Sequence, residues 1–193
     1  MDRPLVLGST SRYRRALIDR LGVPFECVAP TCDEDAFTGG ATPPRALAEL
    51  LALEKARSVA ALRPDAVIVA GDQVVALDDE ILHKPGVAAA AEAQLARLSG
   101  RRFTIHTAIV VTGGGREEPY TDVTHLTMRA LDAAAIARYV AADAPLDSAG
   151  SFKIEARGIA LFAAIESADP SAIEGIPLLA LTRILVARGF AIP

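Results

Sequence analysis

A carboxylate set inside an apolar run constrains this chain more than any other feature. Residues 66–85 read AVIVAGDQVVALDDEILHKP: the run breaks at Gly71-Asp72-Gln73, resumes as Val74-Val75-Ala76, then turns and reaches Lys84-Pro85. Short apolar runs bounded by turn residues are the pattern of interior strands. An acid placed there costs stability unless it is paired or used. Asp72 is therefore expected to have a cationic partner or a chemical task, and Lys84 brings a cation to the same part of the chain.

The segments before and after this run alternate between strand and helix patterns. Leu5-Val6-Leu7 is a strand candidate that runs through Gly8-Ser9-Thr10-Ser11 into a helix with Ala16, Leu17 and Leu21 on its apolar face. A small-residue turn between strand and helix exposes backbone N–H groups to an anion. Arg12, Arg14 and Arg15 sit at that helix start, where cations oppose the dipole unless a bound anion compensates. A second short strand, Phe25 to Val28, leads to the acidic loop Asp33-Glu34-Asp35. Gly39-Gly40-Ala41 reads as flexible linker before a helix from Pro44 to Leu62, whose Leu47, Leu51, Lys55 and Val59 lie four apart on one face. A lysine in an apolar stripe either snorkels past the core or points into a pocket.

Ala88 to Leu98 is an alanine-rich helix. The alternating run Arg102 to Thr112, a Gly113-Gly114-Gly115 turn and a return run from Tyr120 to Met128 form the clearest hairpin signal. A helix using Ile136, Tyr139 and Val140 follows. Asp147 to Glu155 is read as a small-residue loop entering a strand that continues over Gly158 to Ile165, and Pro177 opens a last helix with Leu178, Leu181 and Leu185 as its buried stripe. Strands alternating with helices, plus one late hairpin, imply an α/β fold with a mixed twisted sheet flanked by helices and a cleft at the strand ends. A length of 193 residues suits a single domain spanning 1–193.

Composition narrows the function classes. A net charge of −4 argues against a nucleic-acid polymer as partner, and no apolar run is long enough for a membrane span or a leader, so the cytoplasm is the expected location. Cys27 and Cys32 suit a reducing compartment and do not make a zinc motif. None of the serines lies in a nucleophile elbow, the glycine-rich lysine loop of P-loop NTPases is absent, and neither cysteine has a base nearby in sequence. What remains is a basic N-terminal turn, Glu34, helix-borne Lys55, strand-borne Asp72 and Lys84. Cations that neutralise phosphate oxygens, with carboxylates that bind a divalent metal or orient water, are the ingredients of a phosphoanhydride hydrolase.

Seven short motifs extend this reading: LGSTSRYRRALI (7–18), APTCDED (29–35), LEKA (53–56), VAGDQVV (69–75), HKP (83–85), AGSFKIE (149–155) and EGIPLLAL (174–181). In this order they resemble the Maf family of nucleoside triphosphate pyrophosphatases over nearly the whole chain. The resemblance implies a Maf/inosine triphosphate pyrophosphatase-like fold with an active-site cleft between two lobes. It also implies hydrolysis between the α and β phosphates, dependent on Mg²⁺ or Mn²⁺. On the matching positions Asp72 is the proton acceptor, Ser9, Arg14, Lys55 and Lys84 handle phosphate, and Glu34 contacts metal or water. A homodimer is an arrangement the family allows.

Three positions depart from the pattern of family members acting on dTTP and UTP, where Arg, Thr and Gln are usual. Here they are Tyr13, Gln73 and Glu155. An aromatic residue, Gln and Glu at these places resemble the subgroup that hydrolyses 7-methyl-GTP. Methylation at N7 makes guanine cationic, which favours an aromatic face and a nearby carboxylate. The expected activity is thus 7-methyl-GTP hydrolysis. A dTTP/UTP pyrophosphatase and a nucleotide-binding regulator of cell division are the competing readings, and the joint presence of Lys55, Asp72 and Lys84 favours catalysis over the latter.

Overall fold

A computed structural model describes residues 3–38 and 42–193, so the expected Gly39–Ala41 linker lies outside the described residues. The chain forms two compact units, Met1–Gln73 with Thr107–Asp122 and Asp169–Pro193, and Val74–His106 with Val123–Ala168. The fold is α/β with a mixed sheet. Its strands are β1 (Leu5–Gly8), β2 (Phe25–Cys27), β3 (Val67–Leu77), β4 (Glu80–Leu82), β5 (Arg102–Gly113), β6 (Arg116–Met128) and β7 (Phe162–Glu166). Hydrogen bonding runs in the order β2-β1-β3-β5-β6-β7, with β4 on β3. β1 is parallel to β2 and β3, whereas the β3–β4 and β6–β7 pairs are antiparallel.

In the first unit the side-chain alternation of β1 and β3 explains why an almost unbroken apolar sequence is needed. Ala66, Ile68 and Val6 face one way and pack with Val59 of α3 (Pro44–Leu62). Leu5, Leu7, Val67 and Val69 face the other way, against Leu17 and Ile18 of α1 (Arg12–Asp19) and Leu178, Leu181 and Leu185 of α6 (Leu178–Ala187). A strand covered on both faces has no polar side, and hence reads as a continuous hydrophobic run.

Gly71-Asp72-Gln73 does not interrupt the strand as the sequence suggests: β3 is continuous through it. Gly71 allows a close approach, since a Cβ there would sit 2.7 Å from the Ala108 carbonyl oxygen. The polar neighbours find partners on opposite faces, so the ladder is undisturbed.

The second unit places α4 (Ala88–Leu98) beside α5 (Ala133–Asp143) and contains the tilted rings of Phe103, Phe152 and Phe162. β5 and β6 are hydrogen-bonded neighbours, as the hairpin reading expects, joined by Gly114 and Gly115 with φ of 61° and 76°. Two positive φ angles in a two-residue connection are the turn that matches strand twist.

The strand expected from Gly158 is shorter than its sequence pattern. Arg157–Leu161 is a 3-10 turn, and only Phe162–Glu166 pairs with β6. The cause is local: the Gly158 N–H bonds the Lys153 carbonyl, and a Cβ on Gly158 would lie 2.3 Å from that oxygen. Among the described residues no helix is long and apolar enough to cross a membrane.

Candidate active site

α3 begins with Pro44 at its first turn, where the missing N–H costs nothing. Its stripe Leu47, Leu51, Lys55 and Val59 is buried throughout, lysine included, at 7 % exposure. The Lys55 ammonium does not snorkel to solvent. Nζ donates to Asp72 Oδ1 at 2.6 Å and lies 2.8 Å from Glu34 Oε2. Asp72 has the parity of Ile68 and Ala70, the face of β3 that meets α3, and it is 9 % exposed. The awkward acid and the awkward lysine of the sequence therefore satisfy each other. Glu34 comes from the loop before α2 (Asp35–Thr38), and its side chain is 52 % exposed. One buried cation thus bridges a sequestered carboxylate and a wet one.

Cys32 lies near this group. Burial, then the charge of Glu34, pushes its thiol up, the direction opposite to that of an activated cysteine.

The turn after β1 is built by its hydroxyls. Ser9, nearly buried, accepts from the Ser11 N–H at 3.1 Å, while Ser11 caps α1 by accepting from the Arg14 N–H at 3.4 Å. Ser9 follows Gly8, which pairs with Ala70 two residues before Asp72. Arg14 turns to the segment before α6: its Nε donates to the Gly175 carbonyl at 3.3 Å. Tyr13 is half-buried, and the Arg12 guanidinium lies 4.7 Å from its ring centroid while donating to its hydroxyl at 2.6 Å.

Gln73 points away from Asp72, as adjacent strand residues must. Its amide nitrogen donates to Thr107 Oγ1 at 2.9 Å and to the carbonyls of Ala172 and Ile173 at 3.0 and 3.2 Å. Thr107, fully buried, donates to Ala172 O at 2.9 Å. Gln73 therefore ties β3 and β5 to the 172–175 turn that Arg14 reaches.

The same turn is fixed from its start by Asp169. That carboxylate accepts from the Ser171 N–H and hydroxyl and, at 2.6 Å, from the Leu179 N–H at the head of α6; Ser171 Oγ accepts from the Leu178 N–H. Sequence reasoning passed over Thr107, Asp169 and Ser171. Asp-Pro-Ser is a visible turn signal, but its separation from α6 hides the capping.

In the second unit, Lys84 is exposed just after β4, and Glu155 is exposed in the turn before Arg157. Lys153, whose direction the sequence left open, bonds Asp147 at 2.9 Å and the Ala144 carbonyl at 3.2 Å. Of the expected site residues, then, Glu34, Lys55 and Asp72 are in direct contact. Ser9, Tyr13, Arg14 and Gln73 belong to the same unit on neighbouring elements, and Lys84 and Glu155 belong to the other.

Lys55, Asp72 and Glu34 thus form one ion-paired group, and the hydroxyl-rich turn follows β1, the strand paired with β3. Residues 4–188 match the model of a family described as Maf-like protein. The chain belongs to the Maf family. The match covers every strand and helix of both units. Among its relatives, a 7-methyl-GTP pyrophosphatase of Xanthomonas oryzae pv. oryzae (strain MAFF 311018) is 48 % identical over 189 residues, 98 % of each chain. The protein of the same name from Xanthomonas campestris pv. campestris (strain 8004) is 46 % identical over 190 residues, again 98 % of each. One from Bordetella pertussis (strain Tohama I) is 47 % identical over 181 residues, 94 % of this chain and 90 % of its own length.

Proposed function

We propose that this Maf protein is a nucleoside triphosphate pyrophosphatase that cleaves 7-methyl-GTP between the α and β phosphates to 7-methyl-GMP and pyrophosphate. The observation that carries the substrate is the shared name of relatives 45–48 % identical over nearly the whole chain. The chemistry rests on the Lys55–Asp72–Glu34 contact.

Asp72 is the proton acceptor. Its Oδ1 is held by Lys55, which fixes the carboxylate's orientation and leaves Oδ2 to accept a proton from water. The water oxygen bonds to phosphorus as the bridging P–O bond breaks, pyrophosphate departs with the electron pair, and the water proton passes to Asp72. Lys55 also supplies positive charge where the phosphoryl oxygens gain negative charge, and Ser9, Arg14 and Lys84 hold phosphate oxygens.

Glu34 and Asp72 are the oxygen donors a magnesium or manganese ion would take. Among the described residues no group of three or more His, Cys, Asp and Glu is placed to hold an ion alone. Two carboxylates completed by substrate phosphates are nonetheless the set magnesium favours. When bound, such an ion would neutralise phosphate charge and acidify water.

Base selection falls to Tyr13, Gln73 and Glu155. The amide nitrogen of Gln73 is engaged within the protein, so its carbonyl oxygen is the group left for a ligand. The Arg12 guanidinium covers one face of Tyr13, so a cationic base stacks on the opposite face or displaces Arg12. Glu155 is exposed and accepts from the donor edge of guanine, an edge pyrimidines lack.

A panel of 7-methyl-GTP, GTP, dTTP and UTP with Mg²⁺ or Mn²⁺, read by pyrophosphate release, tests the assignment. The expected result is the highest kcat/KM for 7-methyl-GTP. Equal or better turnover of dTTP and UTP would overturn it.

A further inference from the structure

Gln94 is half-buried on α4, at the edge of the stripe formed by the buried Ala91, Leu95 and Leu98. Both ends of its amide are used. Nε2 donates to the carbonyl of His83 at 3.1 Å, and Oε1 accepts from the Ser151 hydroxyl at 2.6 Å. His83 adjoins Lys84. Ser151 opens the segment that leads to Glu155.

The two segments it joins lie outside the strand ladders. The His83-Lys84-Pro85 stretch leaves β4 without continuing the ladder, and Gly86 follows with a φ of 72°. Gly150 and Ser151 are consecutive left-handed residues, with φ of 77° and 61°. For serine this conformation is costly and persists only where its surroundings impose it. Ser151 is fully buried, its hydroxyl is held by Gln94, and its N–H donates to Ser148 O at 3.1 Å. A backbone bond from the Gly86 N–H to Leu146 O, 3.0 Å, ties the first segment to the stretch that precedes the second.

We infer that Gln94 is a positioning residue for the reaction: one side-chain amide sets the spacing between the turn that carries Lys84 and the loop that carries Glu155. It touches no substrate and acts through those two residues. Phosphate binding and base selection are thereby linked in this unit. The functional half of this statement rests on the roles proposed above for Lys84 and Glu155.

Three substitutions separate the arms. Gln94→Met keeps length and volume but removes both hydrogen bonds. Gln94→Glu keeps the acceptor for Ser151 and turns the donor toward His83 O into a repelling oxygen. Ser151→Ala leaves the His83 arm intact.

Amide hydrogen exchange of the apo protein reads the bridge itself. Gln94→Met should speed exchange in both 83–86 and 149–155, Gln94→Glu in 83–86, and Ser151→Ala in 149–155. Loss of a single hydrogen bond corresponds to about a three- to tenfold change in such an equilibrium. Kinetics read the consequence. Gln94→Met should raise KM for 7-methyl-GTP and Ki for pyrophosphate by about the same factor, with kcat changed less. Gln94→Glu should raise Ki for pyrophosphate and keep the 7-methyl-GTP to GTP preference, whereas Ser151→Ala should do the reverse.

Unaltered exchange in both segments of Gln94→Met overturns the inference whatever the kinetics. Faster exchange with unchanged KM, Ki and preference leaves a structural bridge and overturns the positioning role, whereas unchanged kinetics in Lys84→Ala and Glu155→Gln as well would remove those residues from their proposed roles. If Gln94→Met does not fold, Gln94→Glu and Ser151→Ala carry the same test one arm at a time.

Discussion

Lys55 sits between two carboxylates of unequal exposure, and that inequality decides what each contact contributes. The Glu34 contact is screened by water and is worth about 0–1 kcal/mol. The Asp72 contact is sequestered, so removing one partner strands a buried charge. Lys55→Met is accordingly expected to lower unfolding free energy by about 3–5 kcal/mol, measured by urea denaturation. Asp72→Asn keeps an oxygen for Lys55 to donate to while losing the basic oxygen. It should cost less stability, reduce kcat by about 100-fold or more and leave substrate binding measurable. Wild-type turnover in that variant would take proton acceptance away from Asp72.

At the scale of elements, α5 shows how a helix fixes a neighbouring loop. Tyr139 is on its buried face, and its hydroxyl accepts from the Lys153 N–H at 2.9 Å. Burial pushes this phenol up to about 12 from 10.0. The folded state therefore keeps a proton that the unfolded chain releases first. Its contribution to stability is present in full below pH 10 and is lost as pH rises from about 10 to about 12, at about 1.4 kcal/mol per pH unit. Comparing Tyr139→Phe with wild type isolates this slope from other alkaline titrations. The variant's unfolding free energy should fall less steeply in that window, and parallel curves would assign the slope to other groups. The 149–155 loop is thus anchored by α5 through Tyr139 and by α4 through Gln94, although its own sequence has no regular pattern.

For the molecule as a whole, the first unit depends on a sheet packed on both faces. Leu181 of α6 is fully buried against β1 and β3 side chains, so Leu181→Ala should cost about 2–5 kcal/mol, read as a lowered Tm and urea midpoint. The element order was legible because it rests on local pattern. The Pro44–Leu62 and Ala88–Leu98 helices have the bounds read from the sequence, and the hairpin follows from alternation and glycines. Lys55 and Asp72 stood out because each breaks an apolar pattern, and a break of that kind costs too much to be idle. Gly71 misled the reading of β3 because the close strand that calls for glycine comes from more than thirty residues away, at Ala108. Gln73, Gln94 and Thr107 show where sequence ends. Their hydrogen bonds join segments far apart in the chain, and no spacing rule encodes a partner that only folding brings near. By itself the sequence determined the family and most of the order of elements, and it singled out Lys55 and Asp72, since periodicity and pattern breaks are local. Only the tertiary structure decided who holds whom: Lys55 between Asp72 and Glu34, Gln73 turned to the opposite face, and Gln94 bridging two loops, because those contacts exist only once the chain has closed on itself.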